Sequence, residues 1–104
     1  MESKTALSVY TKNNCVQCEA TEKTLEKQSL VKGLDYTTID LEKNPDALAY
    51  VKKLGYNQAP VVVYKGDSLD EQGSQEVSWA GFRPDRIKEV AARIALTKVG
   101  VHAP

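Results

Sequence analysis

An α/β fold with a four-stranded mixed sheet and three helices, in the order β-α-β-α-β-β-α, is predicted by three features of this chain. The segment Pro60–Tyr64 is continuously apolar, which is typical of a strand covered on both faces. Asn44 and Pro45 form a helix start, followed by apolar residues at three- and four-residue intervals. The strand-helix-strand pattern at the beginning of the chain predicts two parallel strands joined by a right-handed crossover.

The first three elements follow from residue propensities. The first strand is predicted over Ala6–Tyr10, which ends in residues that favour strands. Glu, Ala, Lys, Leu and Gln favour a helix from Val16 to about Leu30, and Gly33 can end it. The second strand is predicted over Tyr36–Leu41.

The later elements are bounded by glycine and proline. The second helix is predicted from Pro45 to Gly55, and its buried stripe is Ala47, Leu48, Val51 and Leu54. Polar residues predict an exposed loop over Gly66–Gly73, and Glu76–Trp79 is predicted as a strand antiparallel to the preceding one, ended by Gly81. Pro84 opens the last helix, with one apolar face formed by Ile87, Val90, Ala91 and Ile94.

A four-stranded mixed sheet covered by three helices in this order is the thioredoxin fold. The 104 residues are expected to form one such domain over 1–104, with an ordered core over about 5–97 and a frayed C-terminal tail. A monomer is expected.

Composition narrows the classes of function. The chain has 14 basic residues (lysine and arginine) and 14 acidic residues (aspartate and glutamate), so its net charge is zero. This balance does not favour nucleic-acid binding. No apolar run reaches the roughly 18 residues of a membrane span, and the N-terminus lacks the pattern of a signal peptide. A cytoplasmic location without membrane attachment is therefore expected, and thiols are kept reduced in that compartment.

The segment Cys15-Val16-Gln17-Cys18 contains the only two cysteines and lies where a strand runs into a helix. A pair in this position predicts a redox site that closes and reopens a disulfide. The unpaired N–H groups and the dipole of the helix start should lower the pKa of Cys15, and Lys12 would add to this if its side chain turned toward the sulfur. Cys15 is thus the predicted attacking thiol. Cys18, one turn deeper, is the predicted resolving thiol.

Three further segments are candidates for the site. Val16 and Gln17 would act through shape and backbone, since neither titrates. Ala59 and Pro60 could form a cis turn that offers backbone groups to a substrate strand, or Pro60 could simply begin a strand. Trp79, Gly81 and Phe82 precede the last helix and could face the cysteines or anchor the core, and both interpretations remain open.

Together these segments resemble the NrdH-redoxin family. The cysteine motif matches the family's tetrapeptide, Gln58–Val62 resembles its cis-proline segment, and Trp79–Asp85 resembles its WSGFRPD signature, with Ala80 in place of the usual serine. The similarity covers roughly Ala6 to Ile94. The Ala80 change removes a hydroxyl, and the Lys65–Glu76 connection is longer than the family's usual turn.

The resemblance implies a function. Members of the family take electrons from NADPH through thioredoxin reductase and pass them to the large subunit of class Ib ribonucleotide reductase, with no bound cofactor beyond the redox-active disulfide. Carried onto this chain, Pro60 would be the cis-proline, Trp79–Asp85 a structural network near the site, and Gln17 and Phe82 contacts to the reductase.

Several alternatives stay open. A glutathione-dependent glutaredoxin is the nearest, although Val16-Gln17 replaces the usual proline and tyrosine, and Phe82 should obstruct the glutathione backbone. A general protein disulfide reductase is a second. A metal or iron–sulfur site is disfavoured, because two cysteines supply half of a zinc site and the one histidine, His102, lies in the tail. A purely structural disulfide is weakest, because the loop it closes is very short.

Overall fold

The computed structural model describes residues 6–65 and 76–98, and within the second segment it describes side chains for residues 77–95. These residues form the elements in the predicted order: β1 (Leu7–Thr11), α1 (Val16–Lys27), β2 (Tyr36–Asp40), α2 (Pro45–Lys53), β3 (Val61–Lys65), β4 (Glu76–Ala80) and α3 (Pro84–Lys98). The predicted loop over Gly66–Gly73, the tail beyond Lys98 and His102 lie outside the described residues.

The sheet has the strand order β2-β1-β3-β4. Strands β1 and β2 are parallel, whereas β3 is antiparallel to both β1 and β4. This arrangement confirms the predicted mixed sheet and the thioredoxin fold.

Strand register decides which loops meet. Tyr10 at the end of β1 lies opposite Val61 at the start of β3, and Val61 lies opposite Ala80 at the end of β4. The three segments that adjoin these residues therefore leave the sheet at the same edge. They are the segment before α1, the segment before β3 and the turn after β4.

Strand β3 separates two apolar cores, as its continuous apolar sequence predicted. Val62 and Tyr64 pack on one face with residues of α1 and α3, including Leu25 and Ile87. Val61 and Val63 pack on the other face with residues of α2. The predicted face of α3 is confirmed, because Ile87, Val90, Ala91 and Ile94 are all buried.

Helix α1 ends earlier than predicted, at Lys27 instead of about Leu30, and Gly33 does not end it. Ser29 adopts a positive φ of 69°. The Ser29 N–H donates to the Glu26 carbonyl at 2.9 Å, and the Leu30 N–H donates to the Leu25 carbonyl at 3.1 Å. This is a Schellman ending, in which Leu30 folds back onto Leu25 in the core. Burial of Leu30 therefore outweighs the cost of a left-handed serine.

Helix α2 begins and ends where predicted. Gly55 has a φ of 99° and its N–H donates to the Lys52 carbonyl at 2.9 Å, which confirms it as the stop. Asn44 occupies the N-cap position, but its side chain makes no capping hydrogen bond. Its Nδ2 instead donates to the Asp40 carbonyl at 2.8 Å and ties α2 to the end of β2.

The predicted apolar stripe of α2 is only half buried. Ala47 and Val51 are buried, whereas Leu48 and Leu54 remain 37% and 36% exposed. The helix is short and packs on the sheet through one narrow line of residues, so its flanking leucines face outward. Leu48 consequently becomes available to line a groove beside the candidate site.

Tyr36 opens β2 and is completely buried in the first core. Burial raises the pKa of Tyr36 above its ordinary value of 10.0, and the nearby carboxylates of Glu22 and Glu26 raise it further. The neutral phenol therefore contributes stability below its ordinary pKa, and this contribution is lost as the pH rises through the raised value.

Candidate functional site

The cysteine pair lies at the start of α1 and is closed as a disulfide between Cys15 and Cys18. Cys15 is the N-cap residue, and its Sγ accepts a hydrogen bond from the Cys18 N–H at 3.1 Å. A sulfur in this position receives both a backbone donor and the positive end of the helix dipole. We expect the same two influences to stabilise a thiolate on Cys15 once the disulfide is reduced.

Both cysteines are buried, and Cys18 is the less exposed of the two, in agreement with its deeper position in the helix. Cys15 is 8% exposed and Cys18 is 3% exposed, so both are buried. Their asymmetry lies mainly in position, since Cys15 precedes the helix and Cys18 lies inside its first turn. Val16 between them is 80% exposed and forms the accessible apolar surface of the motif.

The loop before the cysteines is anchored by hydrogen bonds to the segment that follows β2. The Leu41 N–H donates to the Thr11 carbonyl at 2.8 Å, and Asn13 Nδ2 donates to Glu42 Oε1 at 2.6 Å. Asn14 takes a positive φ of 54°, a conformation that asparagine tolerates better than most residues. Sequence analysis did not single out Asn13 or Glu42, because their contact joins residues from two different loops.

The peptide bond between Ala59 and Pro60 is cis. Pro60 is buried, and its carbonyl accepts a hydrogen bond from the Gly81 N–H at 2.8 Å. The segment before β3 is thereby fastened to the turn after β4.

Gln17 joins the cysteine motif to the same turn. Its Oε1 accepts a hydrogen bond from the Phe82 N–H at 3.1 Å. Gly81 has a φ of 86°, and a Cβ added there would lie 3.4 Å from Gln17 Oε1 and 3.9 Å from Gln58 Nε2. Gln58, which was outside the predicted set, thus belongs to the site. Its place directly before Ala59 was the available signal.

Trp79 and Phe82 take different places. Trp79 is buried in the first core, with the Arg86 guanidinium 5.5 Å from its ring centroid. Phe82 is 36% exposed beside Gln17. Of the two interpretations that the sequence left open, the structure supports the core role for Trp79 and a surface position for Phe82.

A groove of about 440 Å³ adjoins the cis-proline segment. Its lining includes Lys12, Leu41, Leu48, Tyr56, Gln58 and Ala59. Tyr56 also exchanges a hydrogen bond with the Ser78 hydroxyl at 2.8 Å, which links the segment before β3 to β4. Lys12 is one of the residues that line this groove. Its lowering of the pKa of Cys15 stays a prediction.

Two other kinds of site are absent from the described ranges 6–65 and 76–98. No group of three or more histidine, cysteine, aspartate or glutamate side chains converges there as a metal site would require. In the same part of the chain, no helix combines the length and apolar character needed to cross a bilayer.

Comparison with known proteins agrees with this geometry. The glutaredoxin family model matches residues 7–69. The glutaredoxin-like protein NrdH of Escherichia coli K12 is 33% identical over 84 residues, which cover 81% of this chain and 86% of that protein. The chain belongs to the NrdH-redoxin family. It is therefore a thiol-disulfide oxidoreductase with a Cys-x-x-Cys motif.

Further members and structures extend the likeness. NrdH of Lactococcus lactis subsp. cremoris is 26% identical over 82% of this chain and 99% of its own length. The structure of Escherichia coli NrdH-redoxin, described as having a thioredoxin-like activity profile, matches with a TM-score of 0.65 and 34% identity over 81% of this chain and 92% of that one. A glutaredoxin from Archaeoglobus fulgidus shares the fold, with a TM-score of 0.56 and 20% identity over 84% of this chain and 86% of its own.

Replacing Gly81 with alanine is expected to slow disulfide reduction severalfold. An alanine at this positive φ would cost about 1–2 kcal/mol. A backbone shift that relieves the strain would move the adjacent Phe82 N–H relative to Gln17 Oε1, which the new methyl group would already contact at 3.4 Å. Gly55→Ala is a matched control, because Gly55 also has a positive φ but nothing within 4 Å of an added Cβ. Reduction of a protein disulfide, with dithiothreitol as the electron source, measures the effect. Equal rates in the two variants would contradict it.

Proposed function

We propose that this chain carries electrons from NADPH, through thioredoxin reductase, to the disulfide of a class Ib ribonucleotide reductase in the cytoplasm. The family supports this route, and the thioredoxin-like activity described for the Escherichia coli relative supports the choice of reductase. The observation that carries the proposal is the hydrogen bond from the Phe82 N–H to Gln17, because it bears on which reductant can use the site.

Glutathione is an unsuitable reductant for this geometry. A helix start with free N–H groups normally attracts a carboxylate, such as those at the ends of glutathione. In the turn that leads into α3, two residues before Pro84, the Phe82 N–H already donates to Gln17 Oε1, and the exposed Phe82 ring stands beside it. A glutathione carboxylate would have to displace Gln17 and pass the ring. A protein reductant needs only an apolar contact surface, which Val16 and Phe82 supply.

The exchange itself follows from the two sulfur positions. In reduction, a thiolate of the reductase attacks Cys15 Sγ, the bond between Cys15 and Cys18 breaks, and Cys18 leaves with the electron pair. A second thiolate of the reductase then releases Cys15. In delivery, the Cys15 thiolate attacks one sulfur of the acceptor disulfide, the bond between the two acceptor sulfurs breaks, and the other acceptor sulfur leaves as a thiolate. The Cys18 thiolate then attacks Cys15 Sγ, re-forms the disulfide with Cys15 and expels the second acceptor sulfur as a thiolate. Both acceptor thiolates can take protons from water. Two electrons thus reach the acceptor for each disulfide reduced.

The acceptor segment is proposed to lie along Ala59 and Pro60. Ala59 lines the groove together with Lys12 and Leu48, and the Pro60 carbonyl accepts a hydrogen bond from the Gly81 N–H, in the turn that Gln17 of the cysteine motif contacts. A peptide lying along this segment would therefore meet the apolar wall of the groove. Backbone groups of an extended peptide can bind there as an added strand.

Two coupled assays test the route. We expect rapid NADPH oxidation with thioredoxin reductase, this protein and an oxidised class Ib ribonucleotide reductase. When glutathione and glutathione reductase supply the electrons instead, NADPH oxidation should be at least about tenfold slower. A tenfold difference in rate corresponds to about 1.4 kcal/mol of transition-state binding. Phe82→Ala serves as a matched variant that keeps the backbone N–H and removes only the ring. This variant should show a smaller difference between the rates of NADPH oxidation with the two reductants.

The opposite results would decide against the proposal. Equal rates with the two reductants would support a glutathione-dependent glutaredoxin, the class whose family model also matches this chain. Fast reduction by thioredoxin reductase without transfer to the ribonucleotide reductase, but with transfer to unrelated protein disulfides, would support a general disulfide reductase.

A further inference from the structure

One buried polar group beside the disulfide has no function in the exchange described above. Thr21 lies on the buried face of α1 with Cys18 and is completely inaccessible to solvent. Its Oγ1 has no hydrogen-bond partner among the described residues. A threonine inside a helix usually bonds to the carbonyl four residues earlier, which here belongs to Gln17, and Thr21 does not.

Helix geometry places the Thr21 side chain on the same face of α1 as Cys18. Residues three apart on a helix are neighbours on the same face, and helical side chains lean toward the N-terminal end of their helix. Thr21 therefore covers the turn that contains Cys18. While the disulfide is closed, Thr21 Oγ1 makes no hydrogen bond to Cys18 Sγ, although Cys15 Sγ of the same disulfide accepts one from the Cys18 N–H. A neutral disulfide sulfur is a weaker acceptor than a thiolate.

We propose that the Thr21 hydroxyl is the hydrogen-bond partner of the Cys18 sulfur in the reduced protein. When the bond between Cys15 and Cys18 breaks, the electron pair stays on Cys18, and the new thiolate can accept a hydrogen bond from Oγ1. When the thiolate takes a proton from water, its S–H can instead donate to Oγ1. In either protonation state the reduced form satisfies a group that the oxidised form leaves unpaired.

This contact shifts the thiol–disulfide equilibrium toward the dithiol. Leaving a buried hydroxyl unpaired is unfavourable, and a hydrogen bond to a charged group is among the stronger ones. Thr21 therefore destabilises the disulfide and stabilises the dithiol. It also favours the developing charge on Cys18 when Cys18 is the leaving group. The inference requires the disulfide chemistry of the family but neither the proposed reductase nor the proposed acceptor.

Thr21→Val removes the hydroxyl and keeps the shape. We expect it to shift the thiol–disulfide equilibrium, measured against a glutathione redox buffer at pH 7, about tenfold toward the disulfide, which corresponds to about 30 mV. Thr21→Ser keeps the hydroxyl and should stay within about twofold of the wild type. Thr24→Val makes the same chemical change two turns from Cys18 on the same helix and should also stay within about twofold.

A folding control accompanies the redox measurement. The oxidised Thr21→Val protein should unfold at the same urea concentration as the wild type or a higher one, because an unpaired hydroxyl has been removed. A clearly lower concentration would overturn the inference by showing that the hydroxyl has a partner in the oxidised form. It would also be overturned if Thr21→Val left the equilibrium within twofold of the wild type, or if Thr21→Ser moved it as far as Thr21→Val did.

Discussion

Replacing Cys18 with serine is expected to stop turnover and to leave Cys15 trapped in a mixed disulfide with the acceptor. The chain has two cysteines in all, so no other thiol can attack the Cys15 sulfur. We expect turnover to fall by about three orders of magnitude or more, as for the loss of a nucleophile in other enzymes. Non-reducing gels and intact mass measurement should show a covalent one-to-one adduct that dithiothreitol releases.

Cys15→Ser is the matched control for this trap. It makes the same change of sulfur to oxygen one helical turn away and should abolish turnover without forming an adduct. An adduct formed through Cys18 would assign the attacking role to Cys18 and contradict the roles derived from the N-cap position of Cys15. Alkylation of the reduced protein gives a second check, because Cys15 should react first.

Leu25→Ala is expected to cause the largest loss of stability among single changes in α1. Leu25 is 1% exposed and packs in the core shared by α1, the sheet and α3. Truncating a leucine in such a position costs about 2–5 kcal/mol, through lost burial and the cavity that remains. A domain of this size is stable by only about 5–15 kcal/mol, so the variant should unfold at a much lower urea concentration.

Leu34→Ala provides the comparison. The chemical change is identical, but Leu34 is 69% exposed, so its free energy of unfolding should change by less than about 0.5 kcal/mol. Urea unfolding of both oxidised variants measures the difference. Similar losses at the two positions would contradict the assignment of Leu25 to the core.

Most of the fold was predictable because its signals are local. The continuous run Val61–Tyr64 and the stripe of α3 each reflect one buried surface, and both were predicted correctly. The end of α1 was not, because it is determined by Leu30 returning to the core. Ser29 accepts a left-handed conformation to allow that contact, and propensity alone favours glycine in such a place.

The sequence was enough to predict the main residues of the candidate site, but not how each of them is placed in the fold. The positions of Cys15, Cys18 and Pro60 in the chain were enough to propose a redox site. The inward position of Trp79 and the outward position of Phe82 could not be separated, because an aromatic residue beside a turn suits either place.

By itself, the sequence determined the order of elements, the place of the disulfide at a helix start and the resemblance to one redox family. Each of these depends on residues close together in the chain. Only the tertiary structure brought Gln17 to Phe82, which is 65 residues away. It also enclosed the Thr21 hydroxyl with no hydrogen-bond partner in the part of the chain that the structure describes. The physical reason is that such contacts depend on the register of four paired strands. A shift of one residue in the pairing of a strand would move every side chain of that strand to the opposite face of the sheet.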